Sequence, residues 1–122
     1  MRFMMLLKAD KTTESGALPT KQDLEAMGKY NEELVKAGVL LDGAGLHPSS
    51  KGARVTFQDG KPTVTDGPFA ETKEQIGGYY LINAKDVDEA VKIAARIPGA
   101  KRGCVEIRAI ADDAQTLALG LE

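Results

Sequence analysis

Acid–base chemistry in this 122-residue chain would turn on His47 and Asp66. His47 is the only histidine, and imidazole is the side chain whose ordinary pKa best suits taking and returning a proton near neutrality. It sits in the loop sequence His47-Pro48-Ser49-Ser50-Lys51-Gly52. Asp66 opens Asp66-Gly67-Pro68-Phe69, where a carboxylate, a glycine and a proline stop a strand and bend the chain. A carboxylate so placed can fix an imidazole's tautomer and stabilise its charged form. It can equally accept the amides of its own turn or pair with Arg54, and a histidine in a Gly- and Ser-flanked loop is most often solvated. Both readings stand open on spacing alone.

Asp42, flanked by Gly43 and Gly45, is a further acid for a pocket, against the ordinary reading of Asp beside Gly as turn chemistry. Arg54, Arg108 and Glu106 sit on strands opposite apolar residues. They could line a cavity and hold an anionic substrate, or be solvated or paired. Tyr79 and Tyr80 point to opposite faces of one strand, so at most one lines a given pocket. With Phe69 of the bend they complete the substrate-binding candidates: Arg54, Phe69, Tyr79, Tyr80 and Arg108. Cys104 has no second cysteine and is expected to be a small buried hydrophobe.

One His and one Cys cannot build a zinc site of the usual kind. An oxygen-only site from Asp42, Asp66 and Glu71 has no spacing in its favour. The glycines form neither a P-loop nor a GxGxxG fingerprint, and there is no GxSxG elbow. No cofactor and no metal are expected.

The elements that must position these residues can be read along the chain. A strand over Arg2 to Lys8 is apolar on both parities. Thr20 caps a helix from about Lys21 to Ala37, with Leu24, Met27, Leu34 and Val35 as its apolar stripe and Gly38 as its stop. Val39 to Leu46 reads as a strand with a bulge near Asp42. Arg54 to Gln58 and Lys61 to Thr65 flank Asp59-Gly60, a two-residue hairpin turn that pairs Gln58 with Lys61, Val55 with Val64 and Arg54 with Thr65. Ile76 to Asn83 is again apolar or aromatic on both faces. Asp86 and Glu89 cap a helix whose Val87, Ala90, Val91, Ala94 and Ile97 face inward, closed by Pro98-Gly99. Val105 to Ala109 forms the last strand, and the tail from Asp112 could add a short helix carrying Leu117 and Leu121.

Strand, helix, strand, hairpin, strand, helix, strand is a ferredoxin-like order with an inserted hairpin, an α+β fold in one domain over 1–122. Two helices cover one face of such a sheet. The first strand and the tyrosine strand are apolar on both, so the second face calls for a second copy of the chain and a homodimer with pockets between sheet, hairpin and partner.

A hydrophobic fraction of 43% and a charged fraction of 28% fit a compact globular domain. A net charge of −2 leaves no basic stripe for nucleic acid. No apolar run reaches membrane-spanning length, and one cysteine without an export signal points to the reducing cytoplasm.

The segments Gly45-Leu46-His47-Pro48-Ser49-Ser50-Lys51-Gly52-Ala53-Arg54-Val55, Thr65-Asp66-Gly67-Pro68-Phe69-Ala70-Glu71-Thr72-Lys73-Glu74 and Gly77-Gly78-Tyr79-Tyr80 closely resemble the YCII-related, DGPF-domain family. The resemblance extends over nearly the whole chain. It implies a dimeric α+β barrel and, from the broader superfamily, a His and Asp dyad in an interfacial pocket with lyase or dehydrohalogenase chemistry on a small molecule. Asp66 falls on the motif aspartate, and His47 is the residue able to complete the pair. Relatives that occur beside or fused to alternative sigma factors imply a second function: a non-catalytic ligand-sensing or protein-interaction module.

Overall fold

The computed structural model of the protein describes residues 1–70, 74–98 and 103–111, apart from the side chain of Thr12. Strands β1 (Arg2–Lys8), β2 (Leu40–Gly45), β3 (Ala53–Gln58), β4 (Lys61–Asp66), β5 (Ile76–Asn83) and β6 (Val105–Ala109) alternate with helices α1 (Lys11–Glu14), α2 (Lys21–Lys36) and α3 (Val87–Ala95). Four strands form one antiparallel sheet in the order β2-β5-β1-β6, the ferredoxin-like order expected, and β3-β4 stand apart as the inserted hairpin. The α+β class and its element order follow the sequence reading closely.

Capping chemistry accounts for the helix ends. The Thr20 hydroxyl accepts the Asp23 amide at 3.1 Å, and Gly38 ends α2 at φ +72°. Asp86 accepts the Glu89 amide at 2.9 Å, opening α3. The single turn α1 was not legible from periodicity. Its start is a reciprocal cap in which Asp10 accepts from the Thr13 amide and the Asp10 amide donates to the Thr13 hydroxyl, each at 2.8 Å.

The hairpin register is the expected one, Arg54 with Thr65, Val55 with Val64 and Gln58 with Lys61. Asp59 and Gly60 take φ of +52° and +76°, the left-handed geometry that matches the twist of paired strands. β2 carries an irregularity between Leu40 and Asp42, where the bulge was expected.

Phe3, Met5, Tyr80 and Ile82 meet Tyr30 and Leu34 of α2 and Ala90, Ala94 and Ile97 beyond or within α3 in one core. Full burial of side chains such as Met5 and Ile82 contributes about 1.5–3 kcal/mol each. The helix stripes need correction. Leu24 and Val35 are 58% and 60% exposed, and Val87 and Val91 are exposed too. Tyr30, three residues past Met27 and four before Leu34, occupies the buried line of α2 instead. Cys104 is also a correction: it precedes β6 and is exposed.

Both long helices lie on the Phe3 and Met5 side of the sheet. The opposite parity, with Met4, Leu6, Tyr79 and Leu81, is only half-buried. Val55, Phe57 and Val64 of the hairpin are 54%, 73% and 64% exposed. A large apolar surface therefore lies open in a single chain. No helix among the described residues is long and apolar enough to cross a membrane. The tail from Asp112, Gly99 and Glu71 lie outside the described residues.

Candidate functional site

The two loops that carry His47 and Asp66 are built into one another. β2 ends where the Leu46 amide donates to the Gly77 carbonyl at 2.9 Å, so His47 leaves the sheet beside the start of the tyrosine strand. Ser49–Lys51 then form one 3-10 turn. β4 ends at Asp66, paired with Ala53, and a cis Gly67–Pro68 bond makes the bend. The Gly67 amide donates to the Gly52 carbonyl at 3.0 Å, and the Phe69 amide donates to the Ser49 hydroxyl oxygen at 3.1 Å. A Cβ on residue 67 would fall 1.7 Å from the Ser49 carbonyl oxygen, so the bend rests directly on Ser49 and admits only glycine.

This wiring decides one question left open by the sequence. The bend's amides at Gly67 and Phe69 go to Gly52 and Ser49, not to Asp66. Among the described residues the Asp66 carboxylate has no hydrogen-bond or ion-pair partner, and neither has the His47 ring. Both are exposed, and within one chain they do not bond to each other. Arg54, diagonal to Asp66 in the hairpin, lays its guanidinium over the Phe69 ring at 3.9 Å from the centroid. Arg54, Asp66 and Phe69 thus meet at the bend, and His47 lies two residues before Ser49, on which the bend rests.

Tyr79 and Tyr80 diverge as the strand period requires. Tyr80 is buried in the helix-side core, and its hydroxyl donates to Asn31 at 2.6 Å. Burial pushes the phenol pKa of Tyr80 up, and that of Tyr30 likewise. Tyr79 lies on the open face, and its hydroxyl donates to Asp42 Oδ2 at 3.3 Å. The negative charge of Asp42 is the main reason the Tyr79 pKa is raised. Asp42 also accepts its neighbour Gly43's amide at 2.8 Å, the turn role weighed for it. Arg108 belongs to the same face and pairs with Glu106 at 3.3 Å, which Lys8 meets at 3.6 Å.

Two residues that sequence reasoning passed over hold the two loops together. Glu14 of α1 accepts the Ser49 amide through Oε1 at 2.9 Å and the Ser49 hydroxyl through Oε2. The hydroxyl bond first, then the amide bond, holds the Glu14 carboxyl below the usual carboxylate range. A signal existed in Asp10-Lys11-Thr12-Thr13-Glu14, an Asp followed three residues later by Thr, which marks a helix start.

A cleft of about 320 Å³ opens elsewhere, between the end of β1, the start of α2 and the approach to β6, lined by residues such as Leu7, Thr13, Leu18, Ile97 and Cys104. None of the sequence-predicted site residues lines it.

The model of the YCII-related domain family matches residues 1–112. An uncharacterized protein of Rhizobium meliloti (strain 1021) is 39% identical over 92 residues, which cover 74% of this chain and 72% of that protein. A solved structure of 5-chloro-2-hydroxyhydroquinone dehydrochlorinase (TftG) from Burkholderia phenoliruptrix, in complex with 2,5-dihydroxybenzoquinone, superposes with a TM-score of 0.53. It covers 94% of this chain and 98% of its own at 16% identity, a likeness of fold.

Proposed function

The chain belongs to the YCII-related domain family, and from that premise we propose that it is a small-molecule enzyme of lyase or isomerase type, with His47 as the proton-transfer group and Asp66 as its orienting partner. The observation that carries this reading is the Asp66 carboxylate, which has no partner among the described residues: the Gly67 and Phe69 amides of its bend go to Gly52 and Ser49, so the acid is left available for something outside the turn. The fold neighbour named as a dehydrochlorinase agrees with this class of chemistry at a coarse level.

The step needs no cofactor. His47 would take a proton from an enolisable or hydroxylated substrate, and the freed electron pair would form the new double bond. In an elimination the leaving group departs with its bonding pair; in an isomerisation the imidazolium returns the proton to another atom. Asp66 would stabilise the imidazolium between the two events. Arg54 and Phe69 are proposed to border the substrate from the bend, and Tyr79 and Arg108 from the open sheet face.

The pocket in this proposal is completed by a second copy of the chain. The half-buried Met4, Leu6, Tyr79 and Leu81 and the exposed apolar hairpin support a two-fold pairing of sheets. It would shelter groups that a single chain leaves open to water, and so strengthen their electrostatics.

The test compares native protein with His47→Asn on 5-chloro-2-hydroxyhydroquinone and on a panel of halogenated or enolisable hydroxyaromatic compounds, following chloride release and proton exchange. Removing the base should lower turnover by about 10²–10⁴-fold while the protein stays folded. Equal rates in both proteins would remove His47 from the chemistry. Saturable binding without turnover of any compound, indifferent to His47→Asn, would instead favour the sensing or protein-interaction module, sigma-factor-linked or otherwise.

A further inference from the structure

We propose that Glu14 and Ser49 are positioning residues, a clamp that holds the loop carrying His47 against the bend carrying Asp66. The proposal rests on the reading of His47 and Asp66 as the reacting pair, and adds a third, remote segment on which their placement depends.

Three stretches far apart in sequence meet at Ser49. Its amide and its hydroxyl both donate to the Glu14 carboxylate, one to each oxygen. A hydroxyl has a single proton and two lone pairs, so once the proton is turned to Glu14 the lone pairs are left to accept the Phe69 amide, which they do at 3.1 Å. Glu14 thereby sets the rotamer of Ser49, and the rotamer sets the anchor of the bend. A carboxylate is acceptor-only, so this direction of donation cannot reverse.

The backbone closes the clamp. The Ser49 carbonyl sits where a side chain on residue 67 would be, and the Gly67 amide donates to Gly52. His47 lies two residues before Ser49, and Asp66 adjoins Gly67. Any rotation of Ser49 is therefore passed to both. The anchor itself is fixed, because α1 begins at the doubly bonded Asp10 and Thr13 pair. Ser49 and Glu14 touch neither reacting group in the chemistry proposed; they act through the two loops.

The lone imidazole makes the clamp measurable without a substrate. In full-length protein labelled for NMR, the His47 ring signal and the Phe69 amide signal are followed in Glu14→Ala, Glu14→Gln and Ser49→Ala, with the amides of Met5 and Ile82 as the check that the core is intact. Glu14→Ala should shift and broaden both signals together and weaken binding of 2,5-dihydroxybenzoquinone about tenfold. Glu14→Gln keeps one acceptor for Ser49 and should fall between. Ser49→Ala should release Phe69 while residue 49's amide stays bonded to Glu14. An unmoved His47 ring and Phe69 amide in Glu14→Ala, with an intact core, would overturn the clamp. Separately, probe binding that is indifferent to both His47→Asn and Asp66→Asn would sink the reacting pair, whereas joint movement of His47 and Phe69 in Glu14→Ala would still uphold the mechanical link.

Discussion

The Asp66 carboxylate stands at the end of β4 while every amide of its bend described above is satisfied by another group. In a purely structural turn of Asp-Gly-Pro the aspartate is the residue that caps the amides. Here Ser49 has that task, and Ser49 in turn depends on Glu14. Because the folded-state pKa of Glu14 is lowered, its hydrogen bonds are present above the pKa of an unfolded glutamate and are lost as pH falls through the lower folded value. The Phe69 amide signal should hold steady while Glu14 is ionised and collapse only in acid strong enough to protonate it below the ordinary glutamate range, and in Glu14→Gln, which has no carboxylate to protonate, that acid step should vanish. A second residue-scale expectation concerns Tyr79, whose phenol is raised chiefly by Asp42. Asp42→Asn should bring its titration back toward the ordinary tyrosine value, read by NMR of the Tyr79 ring. No change would show that the pair at 3.3 Å is not coupled in solution.

At the scale of elements, the hairpin and the bend differ in how they are encoded. Asp59-Gly60 is local chemistry: two positions of positive φ dictate the register, so every pair from Arg54–Thr65 to Gln58–Lys61 was legible. The bend's support was not legible, because Glu14 reaches Ser49 across 35 positions and sits in a one-turn helix with no apolar period. Apolarity alone also misled on the helices, since Leu24 and Val35 flank the buried line on which Tyr30 and Leu34 lie. The structural cost of the bend can be measured. Gly67→Ala would drive a methyl group onto the Ser49 carbonyl at 1.7 Å, so the loops must part; an overpacking cost of about 1–3 kcal/mol is expected by denaturant unfolding. By contrast Ile82→Ala, at a fully buried position of β5, should cost about 2–5 kcal/mol without disturbing the bend. A Gly67→Ala protein as stable as the native one would mean that the bend does not rest on Ser49.

For the whole molecule, the sheet order and the two-helix layer followed from the sequence, and so did the unequal treatment of the two sheet faces. What the sequence could not reveal is the arrangement of His47 and Asp66, which depends on loops that a one-dimensional pattern does not fold. One chain offers Met4, Leu6, Tyr79 and Leu81 only partial cover, and sedimentation should find a mass twice that of the 13.0 kDa chain. Leu81→Lys on the open face should shift that mass toward a single chain, and a native protein that sediments as one chain would remove the sheltered pocket. Most directly, the His47 ring signal can be recorded as 2,5-dihydroxybenzoquinone is added to native and Asp66→Asn protein. If histidine and aspartate form one site, the signal moves saturably in the native protein and the response is lost or strongly reduced in Asp66→Asn. A ring signal that stays still while the compound binds, or that responds identically in both proteins, would contradict a shared site.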